Sequence, residues 1–185
     1  MINVNDFKTG MTIELDGEIF EVLEFSHVKP GKGAAFVKAK LYNLRTGSNT
    51  ENSFNSSTKV PKALIEKKPM QFLYMNGNNY VFMNMDNYEQ IEINETQINK
   101  EKNYLKENQD VFVIFYGDEL LGINLPEKVE LLITKSEPGV KGNTSSTAMK
   151  DAITETGLLV KVPLFVNEGE EIIVSTKDGK YVSRK

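Results

Sequence analysis

The most unusual setting for a reactive side chain in this sequence is Lys29-Pro30-Gly31-Lys32-Gly33, where two glycines flank a lysine and remove side-chain bulk on both sides of it. Such a lysine is displayed rather than packed. It can reach into a narrow site or be reached by a modifying enzyme. Pro and Gly are also ordinary turn residues, and for the tetrapeptide alone a solvated hairpin turn is the stronger reading. A Schiff-base nucleophile would need a pKa lowered by burial or by a cationic neighbour, and a glycine-flanked tip offers no desolvation. A phosphate-binding P-loop would need Gly-x-x-x-x-Gly-Lys-Ser/Thr ahead of a helix, whereas a strand pattern follows Gly33. His27, the single histidine of a chain without cysteine, has no second soft ligand with which to hold a metal. It also lacks a nameable nucleophile to serve as a base, and is read as a structural or surface residue. Glu168, Glu170 and Glu171 lie in a turn ahead of a strand and are most simply solvated. No catalytic constellation emerges, so the expectation is a protein that is not an enzyme and needs no cofactor or metal.

The elements that must position Lys32 are strands. Short alternating runs broken by turn dipeptides dominate. Residues 11–15 lead through Asp16-Gly17, a favoured hairpin turn, into 18–28, and a second hairpin rises along 18–28 to the tip and returns along 34–44. Ten-residue arms span roughly 30 Å, more than a small barrel requires, so the tip can project. On the returning arm Ala35, Val37, Ala39 and Leu41 alternate with Phe36, Lys38, Lys40 and Tyr42, so that one face can bury while the other meets an anionic partner. A strand over 50–56 would complete a five-stranded SH3-like barrel, and Val60-Pro61-Lys62 reads as a linker. Strands at 70–75, 80–85 and 88–93, a short helix over 96–105, and strands at 110–116 and 119–125 suggest an OB-like module. Phe72, Tyr74, Tyr80, Phe82 and Tyr88 could stack bases, but their alternation with Met and Leu makes barrel core the better reading for most of them. Past Pro126 come strands at 128–134, 147–154, 158–166, 170–176 and 181–184, with a Gly/Ser/Thr-rich loop over 136–146. Pro163 inside one of these strands implies an edge or a barrel corner. The fold class expected is all-β, in three modules: 1–62, 63–126 and 127–185.

A net charge of -4 argues at first against a nucleic-acid partner. The distribution changes that reading. Residues 63–126 carry 5 basic and 10 acidic side chains, while between Glu24 and Glu51 there is no acid at all and Lys29, Lys32, Lys38, Lys40 and Arg45 all fall there. The hairpin is therefore locally cationic. With no cysteine, no leader pattern at MINVNDFKTG and no apolar run near the roughly 20 residues of a spanning helix, the expectation is a soluble cytoplasmic protein without a membrane partner.

Several stretches, in order along the chain, resemble elongation factor P. They are Lys29 to Val37, Gln71-Phe72-Leu73-Tyr74 with Phe82-Met83-Asn84, Glu137-Pro138-Gly139-Val140-Lys141-Gly142, Gly157 to Val166 and the closing Gly179-Lys180-Tyr181-Val182-Ser183-Arg184. The resemblance implies one SH3/KOW-like and two OB-like barrels in an L of tRNA-like dimensions. Such a protein, a monomer, binds the ribosome beside P-site peptidyl-tRNA and relieves stalling at consecutive prolines. Lys32 then occupies the position that points at the tRNA CCA end and that a lysine-modifying enzyme often lengthens; Pro30, Gly31 and Gly33 form the tip. The lysine in this context fits a lysine-modified type and leaves β-lysyl and 5-aminopentanol attachments both open. Lys29, Lys38, Lys40 and Arg45 become candidates for phosphate contacts. The third-module loop that in the family reads Gly-Asp-Thr and recognises the D-arm of proline and initiator tRNAs is Gly142-Asn143-Thr144 here. Asn keeps an acceptor, gains a donor and loses the charge. A paralogue with a different ribosomal or regulatory task is the alternative.

Overall fold

The computed structural model describes residues 1–138 and 148–185, and among them there are sixteen strands and no α-helix. The strands are β1 (Ile2–Asn3), β2 (Thr12–Leu15), β3 (Glu18–Val28), β4 (Phe36–Asn43), β5 (Asn49–Asn55), β6 (Lys59–Val60), β7 (Glu66–Asn76), β8 (Asn79–Asn84), β9 (Gln90–Asn94), β10 (Asp110–Tyr116), β11 (Glu119–Asn124), β12 (Lys128–Ser136), β13 (Met149–Thr154), β14 (Leu159–Pro163), β15 (Glu171–Ser175) and β16 (Tyr181–Arg184). They form a four-stranded sheet β2-β3-β4-β5, a two-stranded sheet β1-β6, and five-stranded sheets β11-β10-β7-β8-β9 and β14-β13-β12-β15-β16. The chain divides into two compact units, residues 1–67 with 113–122, and residues 68–112 with 123–185.

In the first unit the alternating pattern of β4 does what period-2 hydrophobicity requires: Val37, Ala39 and Leu41 are buried and Lys38 and Lys40 are exposed. Val4, Phe7, Ile13, Val22 and Phe54 close the same core, with Phe7 and Phe54 edge to face at 5.8 Å between centroids. The stretch expected as a linker is instead built in. Val60 and Ala63 are buried, the Glu14 amide donates to the Pro61 carbonyl at 2.9 Å, and the Ala63 amide donates to Thr12 at 2.9 Å. Two apolar side chains that can be buried and free backbone groups at the end of β2 together outweigh the turn tendency of the proline.

In the second unit Phe72, Tyr80 and Phe82 are buried, and Phe72 packs tilted against the other two rings at 5.3 and 5.5 Å. Tyr74 and Tyr88 are exposed, so core was the right reading for most of these aromatics and not for all. The expected helix over 96–105 is two 3-10 turns, Glu95–Ile98 and Glu101–Tyr104. Asn94 caps the first in a reciprocal capping box with Gln97, and the segment is shorter than the roughly 12 to 15 residues an α-helix needs to hold without strong tertiary packing. Strand β14 ends at Pro163 and lies at the sheet edge, where a residue without an N–H is tolerated. Val129, Leu131, Ile133, Val160, Val162 and Ile172 form the core of this last sheet. Tyr104 packs against it.

Candidate functional site

The long hairpin is the device that presents Lys32. Strands β3 and β4 pair antiparallel from Phe20↔Asn43 to Val28↔Phe36, with one irregularity between Val22 and Glu24. A bulge of this kind adds one residue to β3 and exchanges its faces. Val22 faces the core opposite Leu41 before it; after it, Phe25 and His27 share that face with Ala39 and Val37. Beyond Val28 and Phe36 the chain leaves the sheet, and residues 29–34 are exposed.

Lys29 and Lys32 sit on this tip, and neither has an ion pair or side-chain hydrogen bond among the described residues. The two flanking glycines differ. Gly33 has a φ of +100°, in the left-handed region that disfavours side chains, while Gly31 has neither a positive φ nor any atom within 4 Å of where a Cβ would stand. The fold therefore requires the glycine at 33 but not the one at 31. His27 stands opposite Val37, exposed, with its ring edge-on to Phe25 at 5.9 Å.

The remaining cations are arranged differently from the tip. Lys38 Nζ lies 2.8 Å from Glu51, and Lys40 Nζ lies 3.1 Å from Glu24. These are the two glutamates that bound the acid-free window in the sequence. The antiparallel register returns them onto it, placing Glu24 opposite Lys40, and Lys40 opposite Glu51. The linear reading missed this, although a turn assigned over 29–35 already brings residue 24 beside residue 40.

Arg45 lies at the far end of β4 from the tip. Buried Asn43 shapes its turn, accepting from the Arg45 and Thr46 amides at 2.8 and 3.1 Å. The Arg45 guanidinium donates from Nε and Nη2 to both carboxylate oxygens of Glu119, at 2.7 and 3.0 Å, and from Nη1 to the Gly17 carbonyl at 2.6 Å, with Glu18 3.6 Å away. The hydrogen bond to Glu119 holds the guanidinium pKa above its ordinary value, and the same bond holds the Glu119 carboxyl below the usual carboxylate range. A second link nearby joins the Tyr116 hydroxyl to Glu14. So the five cations of the hairpin do not form one surface: two at the tip are unpaired among the described residues, two are paired on the outer face of the sheet, and Arg45 is tied to β11.

The carboxylates Glu168, Glu170 and Glu171 are structural. Glu168 accepts from the Ser136 amide at 3.0 Å, Glu170 takes Arg184 at 3.0 Å, and Glu171 takes Lys185 at 2.9 Å. Gly142, Asn143 and Thr144 lie outside the described residues. Among the described residues no three His, Cys, Asp or Glu side chains converge as a metal site, and no helix is long and apolar enough to cross a membrane.

Solved structures define the class. The chain is similar to eukaryotic translation initiation factor 5A from Methanococcus jannaschii, at 25% identity and a TM-score of 0.54 over 67% of this chain and 93% of that one. A translation initiation factor eif-5a family protein from Naegleria fowleri shares the fold at 16% identity, with a TM-score of 0.51 over 67% of this chain and 96% of that one. The class is that of translation factors built from small β domains. Three family models then match in chain order: the elongation factor P KOW-like domain over residues 3–60, the elongation factor P OB domain over 65–123, and the elongation factor P C-terminal domain over 129–184. The chain belongs to the elongation factor P family. It is a translation elongation factor with an all-β architecture of three small domains.

Proposed function

We propose that this protein binds the ribosome beside P-site peptidyl-tRNA and relieves stalling at consecutive prolines through Lys32. The observation that carries the reading is the tip itself: an exposed lysine without a partner among the described residues, raised on an eleven-residue strand and flanked by a glycine, Gly31, that the local backbone does not require. Proline is a poor donor and acceptor in peptide-bond formation. A cationic side chain laid along the CCA end restrains the reactants near attack geometry, and restraint of that kind can be worth several kcal/mol. The ribosome performs the chemistry, and the protein works as a cytoplasmic monomer without a catalytic group or cofactor of its own.

The tip is also open to a lysine-modifying enzyme, which would extend the reach of Lys32. Lys29 is the second tip cation available to phosphate. Lys38 and Lys40 serve only after parting from their glutamates, and Arg45 serves the fold. Gly142-Asn143-Thr144 is assigned the D-arm of proline and initiator tRNAs by family resemblance.

The test is synthesis through a Pro-Pro-Pro stretch in a purified translation system. Wild-type protein should speed it and Lys32→Ala should not, with unchanged thermal unfolding. Ribosome binding without relief of the stall would favour a paralogue with another ribosomal task.

A further inference from the structure

The outer face of the hairpin sheet holds two exposed lysines against two exposed glutamates, in the cross-strand rows Ser26–Lys38–Ser53 and Glu24–Lys40–Glu51. Together with Phe25 they line one shallow groove. We propose that Glu24 and Glu51 are specificity-determining residues that occupy Lys38 and Lys40 and must be displaced before the body of the hairpin can engage RNA phosphates. This rests on the reading above in that RNA is taken as the partner.

Charge on this surface is graded along the hairpin. The tip carries Lys29 and Lys32 without counter-ions among the described residues, whereas each outer-face lysine has a carboxylate within 3.1 Å. The four side chains are 45 to 71% exposed. Ion pairs this wet are held weakly, so a well-placed phosphate can replace the carboxylate. The displaced glutamate cannot leave, because its strand keeps it within a few ångströms. At physiological ionic strength charges are felt over about 8 Å, so Glu24 and Glu51 continue to repel a phosphate that takes their lysine.

The consequence is discrimination. An arbitrary RNA meets a neutral face and is held by the tip alone. Only an RNA fixed in place by other contacts gains the two lysines. Phosphates engaged by additional cations steepen the fall of affinity with salt by about 0.7 to 0.9 each in logarithmic slope.

Binding of unfractionated deacylated tRNA to the full chain, followed from 50 to 200 mM KCl, tests this. Glu24→Gln/Glu51→Gln keeps shape and removes both charges. It should bind roughly tenfold more tightly at the low-salt end and steepen the salt slope by about 1.4 to 1.8. Adding Lys38→Ala and Lys40→Ala should cancel both gains. Glu89→Gln/Glu107→Gln removes the same net charge from exposed positions outside the hairpin and should change affinity less than twofold. The proposal is overturned if Glu24→Gln/Glu51→Gln binds no more tightly than wild type, if the remote pair produces the same gain, or if the lysine substitutions leave the gain intact. Relief of Pro-Pro-Pro stalling by the wild-type protein, measured alongside, separates the two claims. Its failure removes the proposed function and leaves the affinity result to decide the role of Glu24 and Glu51.

Discussion

Substituting each tip glycine by alanine should move stability in opposite directions, although both changes add the same methyl group beside Lys32. At Gly31 the backbone φ is not positive and nothing lies within 4 Å of the new Cβ. The main effect there is on the unfolded chain, which loses conformational freedom, and the variant should gain up to about 0.4 to 1 kcal/mol. At Gly33 the φ of +100° and the nearest atom, Pro30 Cγ at 4.0 Å, leave space but no comfortable conformation. A left-handed conformation costs an L-residue roughly 1 to 2 kcal/mol, against which the same unfolded-state gain counts, so Gly33→Ala should lose about 0.5 to 1 kcal/mol. The difference between the two variants is then about 1 to 2 kcal/mol, readable as a shift in urea midpoint at constant slope. Its upper bound is the cost of letting the tip give up its turn, since strain above that cost would be released locally. Equal midpoints for the two variants, or a more stable Gly33→Ala, would refute the reasoning. Stall relief should behave otherwise: Gly31→Ala should impair it while stabilising the fold, because the methyl narrows the clearance around Lys32.

Other consequences follow from contacts away from the tip. A Cβ at residue 179 would stand 2.8 Å from Tyr104 Oη, at a φ of +73°, so Gly179→Ala should cost about 1 to 3 kcal/mol by urea unfolding, and Tyr104→Phe in that background should recover part of it. Arg45→Ala should lower stability near neutral pH. Because the Arg45 hydrogen bond depresses the Glu119 carboxyl in the folded state, that stabilisation is present above the ordinary carboxylate range and is lost as pH falls through the lower folded value. Wild type and Arg45→Ala should therefore converge in thermal midpoint as pH drops below about 4, and parallel curves would count against the pair.

Much of the fold was legible because local signals agreed with one another. Asp16-Gly17 named the first hairpin, and the alternation from Ala35 to Tyr42 named the faces of β4 correctly. The segment at 96–105, expected as one short helix, forms two 3-10 turns instead, because ten residues are too few to stabilise an α-helix by local propensity alone. At the site, display of Lys32 was readable from the residue types, since two glycines and a proline act locally. The pairing of Lys38 with Glu51 and of Lys40 with Glu24 was not, because a charge window is a one-dimensional quantity and these partners meet only through strand register. Arg45 is the stronger case: its main partner, Glu119, lies 74 residues away, and nothing near Arg45 in the chain points to it.

The central claim is that Lys32 is the working group, and it is tested most directly by the rate of full-length synthesis from a template encoding Pro-Pro-Pro. The protein should be isolated from its native source, and the mass of its Lys32 peptide measured first. Wild-type protein should raise that rate, and Lys32→Ala should leave it at the level without the factor while unfolding at the wild-type temperature. A Lys32→Ala protein that relieves the stall as well as wild type would contradict the account.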